Sequence, residues 1–242
     1  MLDAIATADK SPMTDVASDL VDLPLEVFGL TKTWKKPQLE LFKDLDLLLE
    51  PGATAWVGGR NGVGKTTLLR ILAGLIGPDT GMVRAYGLDP ARNRREFQRR
   101  VAFLSAGNAG LYARLTVRAQ IDMWARMAFV PREARAAAVA RNLKDFALEE
   151  LAERRSDRLS MGQRQRLRIA MTFVNDPDVV LLDEPRSSLD GEGGDLLAAA
   201  IGRTAARGGV VLWVSPTGED LNFPFSERYI LEGGKLNRVD AQ

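Results

Sequence analysis

The sequence predicts an α/β domain built on a mostly parallel sheet, and three observations predict it. An apolar run, Ala53 to Val57, leads straight into a glycine-rich loop and then into a segment of helical period. A second apolar run, Val179 to Leu182, ends in two acids, Asp183 and Glu184. A third, Val210 to Val214, has the same unbroken character. Strands of this kind are buried on both faces, as inside a parallel sheet covered by helices.

The elements follow in chain order. Residues 1–22 are small and polar and carry Asp3, Asp9, Asp15 and Asp19, so a mobile tail is expected there and one folded domain over 23–242. Leu25 to Leu30 and Leu39 to Leu49 are expected to pair in an antiparallel sheet, with Pro51-Gly52 as a turn. From Lys65 to Leu75, the positions Leu68, Leu69, Ile71, Leu72 and Leu75 keep helical spacing. Residues of about 107–160 change texture: Met123, Trp124, Met127 and the Ala/Arg-rich run Pro131 to Ala140 predict a helical insert. Arg228 to Leu231 and Lys235 to Val239 flank Gly233-Gly234, a closing hairpin.

Composition narrows the chemistry. With 242 residues the chain can bury one large core. It has no cysteine, which excludes disulfides, thiolate metal sites and cysteine nucleophiles, and no histidine, the commonest acid–base side chain. A net charge of +1 indicates no nucleic-acid partner. No apolar run approaches the roughly 20 residues that span a bilayer, so a cytoplasmic protein is expected, served by another chain if a membrane is involved.

Three segments carry chemistry. The first is Gly59-Arg60-Asn61-Gly62-Val63-Gly64-Lys65-Thr66, followed by Thr67. A glycine-rich loop between strand and helix aims several backbone N–H groups at one anion, and the helix start adds partial positive charge. Lys65 can reach terminal phosphates, and the Thr66 hydroxyl can take a magnesium position. A turn that merely opens a helix would not need the whole pattern. The second segment is the strand end. Asp183 follows four apolar residues and sits where ligands bind in open α/β sheets. It can hold Mg2+, while Glu184 is a candidate base. Pro185 is expected to bias Glu184 toward extended backbone. The third, Leu159-Ser160-Met161-Gly162-Gln163, fits a capping box that opens a helix, with Ser160 as cap and Gln163 three residues on. A helix start can also meet a phosphate.

In chain order, Gly59 to Thr66, then Leu159 to Gln163, then Val179 to Glu184, the three segments resemble the ATPase domain of ABC proteins, most like the bacterial exporters of ABC-2 type. The resemblance covers nearly everything from Leu23 to about Asp240. It implies a P-loop NTPase fold with a RecA-like core, an antiparallel β subdomain and a helical subdomain. It implies ATP and Mg2+ as cofactors, with Lys65 and Glu184 catalytic and Thr66 and Asp183 on the metal. Gly59, Arg60, Asn61, Gly62, Val63, Gly64, Lys65, Thr66 and Thr67 would cradle phosphate. Ser160, Gly162 and Gln163 would meet the nucleotide of an opposite subunit, and Ser187 to Asp190 would line the seam. Trp34 stands where an aromatic residue stacks on adenine. Tyr112, Leu115, Met123, Trp124 and Met127 would either line a groove for a membrane partner or belong to the subdomain core.

Three positions depart from that pattern. Met161 replaces the usual Gly. Ala106 stands where a Gln touches magnesium and the attacking water, and Ser215-Pro216-Thr217 replaces a switch His. Phosphoryl transfer depends on positioning and charge stabilisation, so tight magnesium–ATP binding with weak hydrolysis is expected. The hydroxyls of Ser215 and Thr217 can contact phosphate but cannot act as a cation.

The leading reading is the ATPase subunit of an exporter. It would dimerise with a like or sister domain and be held at the cytoplasmic face of the membrane by separate permease subunits. A soluble ABC ATPase serving as an assembly scaffold is the second reading. A nucleotide sensor without useful hydrolysis is the third, and the intact Glu184 argues against it.

Overall fold

The apolar runs that define the sequence assemble into a six-stranded sheet whose two faces bury separate cores. The computed structural model describes residues 23–35, 38–107, 110–216 and 223–239; the expected tail over 1–22 lies outside them. In chain order the elements are β1 (Leu25–Lys35), β2 (Gln38–Leu49), β3 (Thr54–Gly58), α1 (Lys65–Leu72), β4 (Thr80–Arg84), α2 (Arg94–Arg100) and β5 (Val101–Leu104). Then come α3 (Val117–Met127), α4 (Arg132–Asp145), α5 (Met161–Thr172), β6 (Val179–Asp183), α6 (Gly191–Ala206), β7 (Val210–Val214), β8 (Glu227–Glu232) and β9 (Lys235–Arg238).

The large sheet has the order β5-β6-β7-β3-β8-β9. All its pairings are parallel except β8 with β9, the expected closing hairpin. Period-two alternation divides its side chains. Val180, Leu182, Val211 and Trp213 join one core with residues of α3 to α6, while Val179, Leu181, Val210, Leu212 and Val214 face the other. That second core takes in Leu68 and Leu69 of α1 and the inward residues of a three-stranded antiparallel sheet, β2-β1-β4. The third strand of the small sheet, β4, was not among the expected elements. Its residues Thr80 to Arg84 are mostly exposed and carry little apolar alternation to announce them.

Helix α1 is shorter than its apolar spacing suggests. Gly74 takes φ +67° just past the end, the Gly74 N–H donates to Ile71 O (2.9 Å) and the Leu75 N–H donates to Arg70 O (2.9 Å). This is a left-handed glycine cap that satisfies the last carbonyls. Leu75 therefore lies outside the helix and is 55% exposed. The helices expected in the insert are present as α3 and α4, with Thr116 capping α3 through Ala119 N–H.

One core residue is mismatched with its surroundings. Gln120 on α3 is wholly buried, and neither amide atom has a partner. Orphaned buried polar atoms cost about 1–3 kcal/mol in desolvation. Gln120→Met, which keeps the volume and removes the amide, is expected to raise unfolding stability by about 1–2 kcal/mol in urea titration.

Candidate functional site

The loop between β3 and α1 is shaped by backbone conformations that side chains resist. Gly62 and Gly64 take φ +79° and +114°, and a Cβ at Gly64 would meet the Phe42 ring at 3.0 Å. Glycine is the residue that adopts such backbone without steric cost. Helix α1 starts immediately afterwards, with Lys65 as its first residue and Gly64 as its cap. Lys65 is 7% exposed. Its Nζ donates back to the loop carbonyls of Gly59 (2.6 Å) and Arg60 (3.1 Å), so the ammonium is held over the loop.

The second part of the site comes from the strand end. Asp183 closes β6, is 2% exposed, and accepts a hydrogen bond from Thr66 Oγ1 at 2.8 Å. Residues separated by over a hundred positions thus present a hydroxyl and a carboxylate to one point. Among the described residues, no group of three or more His, Cys, Asp or Glu surrounds a common point. The pair fits a cation such as Mg2+, which takes few protein ligands and completes its shell with water and phosphate oxygens.

Glu184 opens the turn beyond β6, and here the expectation from Pro185 is corrected. Glu184 takes φ +48°, in the left-handed region. Two bonds impose it. The Glu184 N–H extends the parallel ladder by donating to Val214 O (2.9 Å), and the Glu184 carbonyl then accepts from Ser187 N–H (3.2 Å) as the chain reverses. Sheet pairing and turn closure outweigh the local preference of a residue before proline. Strained backbone of this kind costs about 1–3 kcal/mol and persists where its surroundings over-determine it.

One open cleft of about 380 Å³ gathers Trp34, Leu39, Leu41, Asn61, Gly62, Gly64, Lys65, Thr66, Thr67 and Glu184. Trp34 is 41% exposed there, with Lys32 Nζ 5.5 Å from its ring centroid. Gly59, Arg60 and Val63 are not among the described lining residues; the first two serve through the carbonyls that hold Lys65.

The third segment stands apart. Ser160 and Gln163 form the expected capping box: Gln163 N–H donates to Ser160 Oγ (3.2 Å) and Ser160 N–H to Gln163 Oε1 (3.0 Å). Ser160, Gly162 and Gln163 are not among the described lining residues of the cleft. Gln163 instead borders a separate hollow with Arg166 and Glu192. Gly162 packs closely on the turn after β6, since a Cβ there would lie 3.3 Å from Ser188 O. Met161 is 58% exposed. Of the candidate groove residues, Tyr112 and Met127 are exposed, while Leu115, Met123 and Trp124 are half-buried.

The position of the expected switch residue is also corrected. Ser215 is 0% exposed, and its hydroxyl accepts from Trp56 Nε1 at 2.8 Å, so it does not face the cleft as a phosphate contact. Thr217 lies outside the described residues. Trp56 is a large residue in the strand before the loop, and its ring crowds Gly58, where a Cβ would approach to 2.2 Å. Reinstating an imidazole by Ser215→His would overfill this buried pocket. Overpacking costs about 1–3 kcal/mol, so a Tm lower by several degrees is expected in a thermal melt, with no gain in nucleotide turnover.

Fold and site together define a phosphate-loop nucleotide-binding α/β protein. The comparisons place it further. The family model for "ABC transporter" matches residues 42–187. The chain is 35% identical over 220 residues to the cytochrome c biogenesis ATP-binding export protein CcmA of Maricaulis maris, covering 89% of this chain and 97% of that one. It is 33% identical over 156 residues to the ABC transporter ATP-binding protein NatA of Bacillus subtilis, covering 64% of this chain. It is also 33% identical over 192 residues to the probable multidrug ABC transporter ATP-binding protein YbhF of Escherichia coli, covering 79% of this chain. The chain spans 63% of NatA and 33% of YbhF, less than two thirds of either. Among solved structures, an ATP-binding subunit of an ABC transporter superposes with a TM-score of 0.79 at 22% identity, covering 89% of each chain. A dimeric, post-hydrolysis ATP-binding cassette bound to ADP and Pi gives 0.78 at 23%, covering 90% of this chain and 99% of that one. The chain belongs to the ABC transporter family.

Proposed function

We propose that this chain binds and slowly hydrolyses magnesium–ATP, and that nucleotide-driven dimerisation with a like or sister domain powers an exporter. The observation that carries the reading is the Thr66–Asp183 contact beneath the glycine loop, with Glu184 and Lys65 lining the same cleft. Lys65 and the loop amides would hold the phosphates, Thr66 and Asp183 the cation, and Glu184 the proton of the attacking water. The cation that Thr66 and Asp183 would hold would supply positive charge to offset that of the phosphates. Trp34 offers a π face to the base.

Dimerisation is supported by where the capping-box segment lies. Ser160, Gly162 and Gln163 are not among the described lining residues of their own chain's cleft, and the helix start they form is favourable ground for an anion. Slow hydrolysis is supported by Ala106 and by the buried, occupied hydroxyl of Ser215. No described helix is long and apolar enough to cross a membrane, so separate permease subunits would do so, and the chain would sit at the cytoplasmic face of the membrane. Export is favoured by likeness to CcmA, an export protein by name, although importers stand among the other relatives. The domain is taken as 23–242, its helical part as about 107–160, with Tyr112 and Met127 offered to the permease. Purification from detergent-solubilised membranes tests the reading. Permease subunits should copurify, and ATPase activity should be measurable and magnesium-dependent; a chain recovered alone, without nucleotide binding, would refute it.

A further inference from the structure

Helix α5 buries an arginine whose partners tie three parts of the site together. Arg168 is 3% exposed and its burial lowers the guanidinium pKa. Desolvating a charge is unfavourable unless it is paired and hydrogen-bonded. Its Nη2 donates to the backbone carbonyl of Ser105, at the end of β5 and next to Ala106. Its Nη1 donates to Gln165 Oε1 at 2.7 Å. Gln165, 4% exposed, passes the connection on: its Nε2 donates to Pro185 O at 2.7 Å. Pro185 directly follows Glu184, whose left-handed φ of +48° is imposed from outside the residue.

We propose that Arg168 is a positioning residue that acts through Gln165 to pin the Glu184–Pro185 corner and so aims the Glu184 carboxylate into the cleft. The chain of contacts is directional. Arg168 orients the Gln165 amide by taking its oxygen, which leaves the NH2 to face the Pro185 carbonyl. A fixed Pro185 carbonyl fixes the Pro185–Arg186 peptide plane, and the locked φ of the proline ring passes that constraint back to the Glu184–Pro185 bond. The same guanidinium anchors the end of β5, so the corner is referenced to the sheet and not only to α5. A hydrophobic residue at 168 would leave the Gln165 amide free to rotate and the corner free to relax toward the extended form that Pro185 favours. Misplacing a reacting group by about 1 Å from a distance costs on the order of 100-fold in rate.

This inference rests on Glu184 acting as base, and its test separates the two. In Arg168→Met, nucleotide-free amide exchange at Glu184 and Ser187 should speed up relative to the wild type, and kcat should fall roughly 10- to 100-fold with the nucleotide Kd unchanged. Gln165→Met should reproduce both effects, and Arg168→Lys, which keeps a donor, should restore part of the rate. In a Glu184→Gln background Arg168→Met should add no further loss, because two residues acting as one unit are not additive. Equal loss in both backgrounds, or unchanged exchange at Glu184 and Ser187, overturns the positioning role. Unchanged turnover in Glu184→Gln alone, with exchange still accelerated in Arg168→Met, refutes the base and leaves the pinned corner standing. Should Arg168→Met fail to fold, Gln165→Met and Arg168→Lys carry the same readouts.

Discussion

Lys65→Ala weakens magnesium–ATP binding by roughly two to three powers of ten. The estimate follows from how the residue is held. The residue is 7% exposed and its ammonium is bonded to the Gly59 and Arg60 carbonyls, so it is largely desolvated and oriented before any ligand arrives. Little ordering remains to be done on binding, and most of the attraction to a triphosphate appears as affinity. Truncating one member of a buried, hydrogen-bonded charge pair costs about 2–5 kcal/mol, which is the range of that loss. A thermal-shift titration checks it. Ligand binding raises stability by RT ln(1 + [L]/Kd), about 2.7 kcal/mol at a hundredfold excess over Kd. A concentration of ATP that gives the wild type this gain should leave the variant's Tm almost unmoved. An equal ATP-induced shift in both proteins would remove Lys65 from the phosphate site.

Much of this was legible in the residues themselves, and the exceptions share a cause. The strands β3, β6 and β7 are runs of apolar residues, and burial on both faces leaves them no other composition. The glycine loop was legible because positive φ at Gly62 and Gly64 selects one residue type. The capping box was legible because both its partners lie within four residues. What escaped depends on contacts between distant segments. The left-handed Glu184 is set by Val214 across the sheet and contradicts the local influence of Pro185. Ser215 reads as a free hydroxyl until Trp56, 159 positions away, is seen to occupy it. Strand β4 is assigned only by pairing, since Val27 and Phe28 meet Val83 and Met82 across it. Arg168 looks like another surface arginine in the Arg-rich run after Gln163, and only the packing of α5 against β5 shows it buried. A signal was present: Leu167 and Ile169 to either side of it are apolar, so the surrounding stretch of α5 has no clear polar face.

Glu184→Gln is expected to reduce ATP turnover at least roughly 100-fold and, with magnesium–ATP present, to shift the protein from monomer toward a stable dimer. The amide keeps the size of the carboxylate and has no added demand on the left-handed backbone, so the corner between β6 and the following turn should survive. What is lost is the ability to accept a proton, worth on the order of 100- to 10,000-fold for a positioned base. The loss should sit at the large end of its range here. Glu184 is the one carboxylate among the described residues lining the cleft, Ala106 offers no polar side chain, and the Ser215 hydroxyl is engaged by Trp56. Asp183, the adjoining carboxylate, accepts from Thr66 and is assigned to the cation, so among the described residues it is a poor substitute base. Binding should be preserved, because Lys65, Thr66 and Asp183 are untouched. If, as proposed, hydrolysis ends the closure of two chains, that closure would then persist, and light scattering with and without ATP would report it. Adding Ser160→Arg should abolish the dimer, since a bulky side chain at the helix start would block a phosphate presented by the second chain. Turnover unchanged by Glu184→Gln would point to a nucleotide sensor. A dimer that survives Ser160→Arg would mean that the two chains meet through another surface, with the capping box serving only the helix it opens.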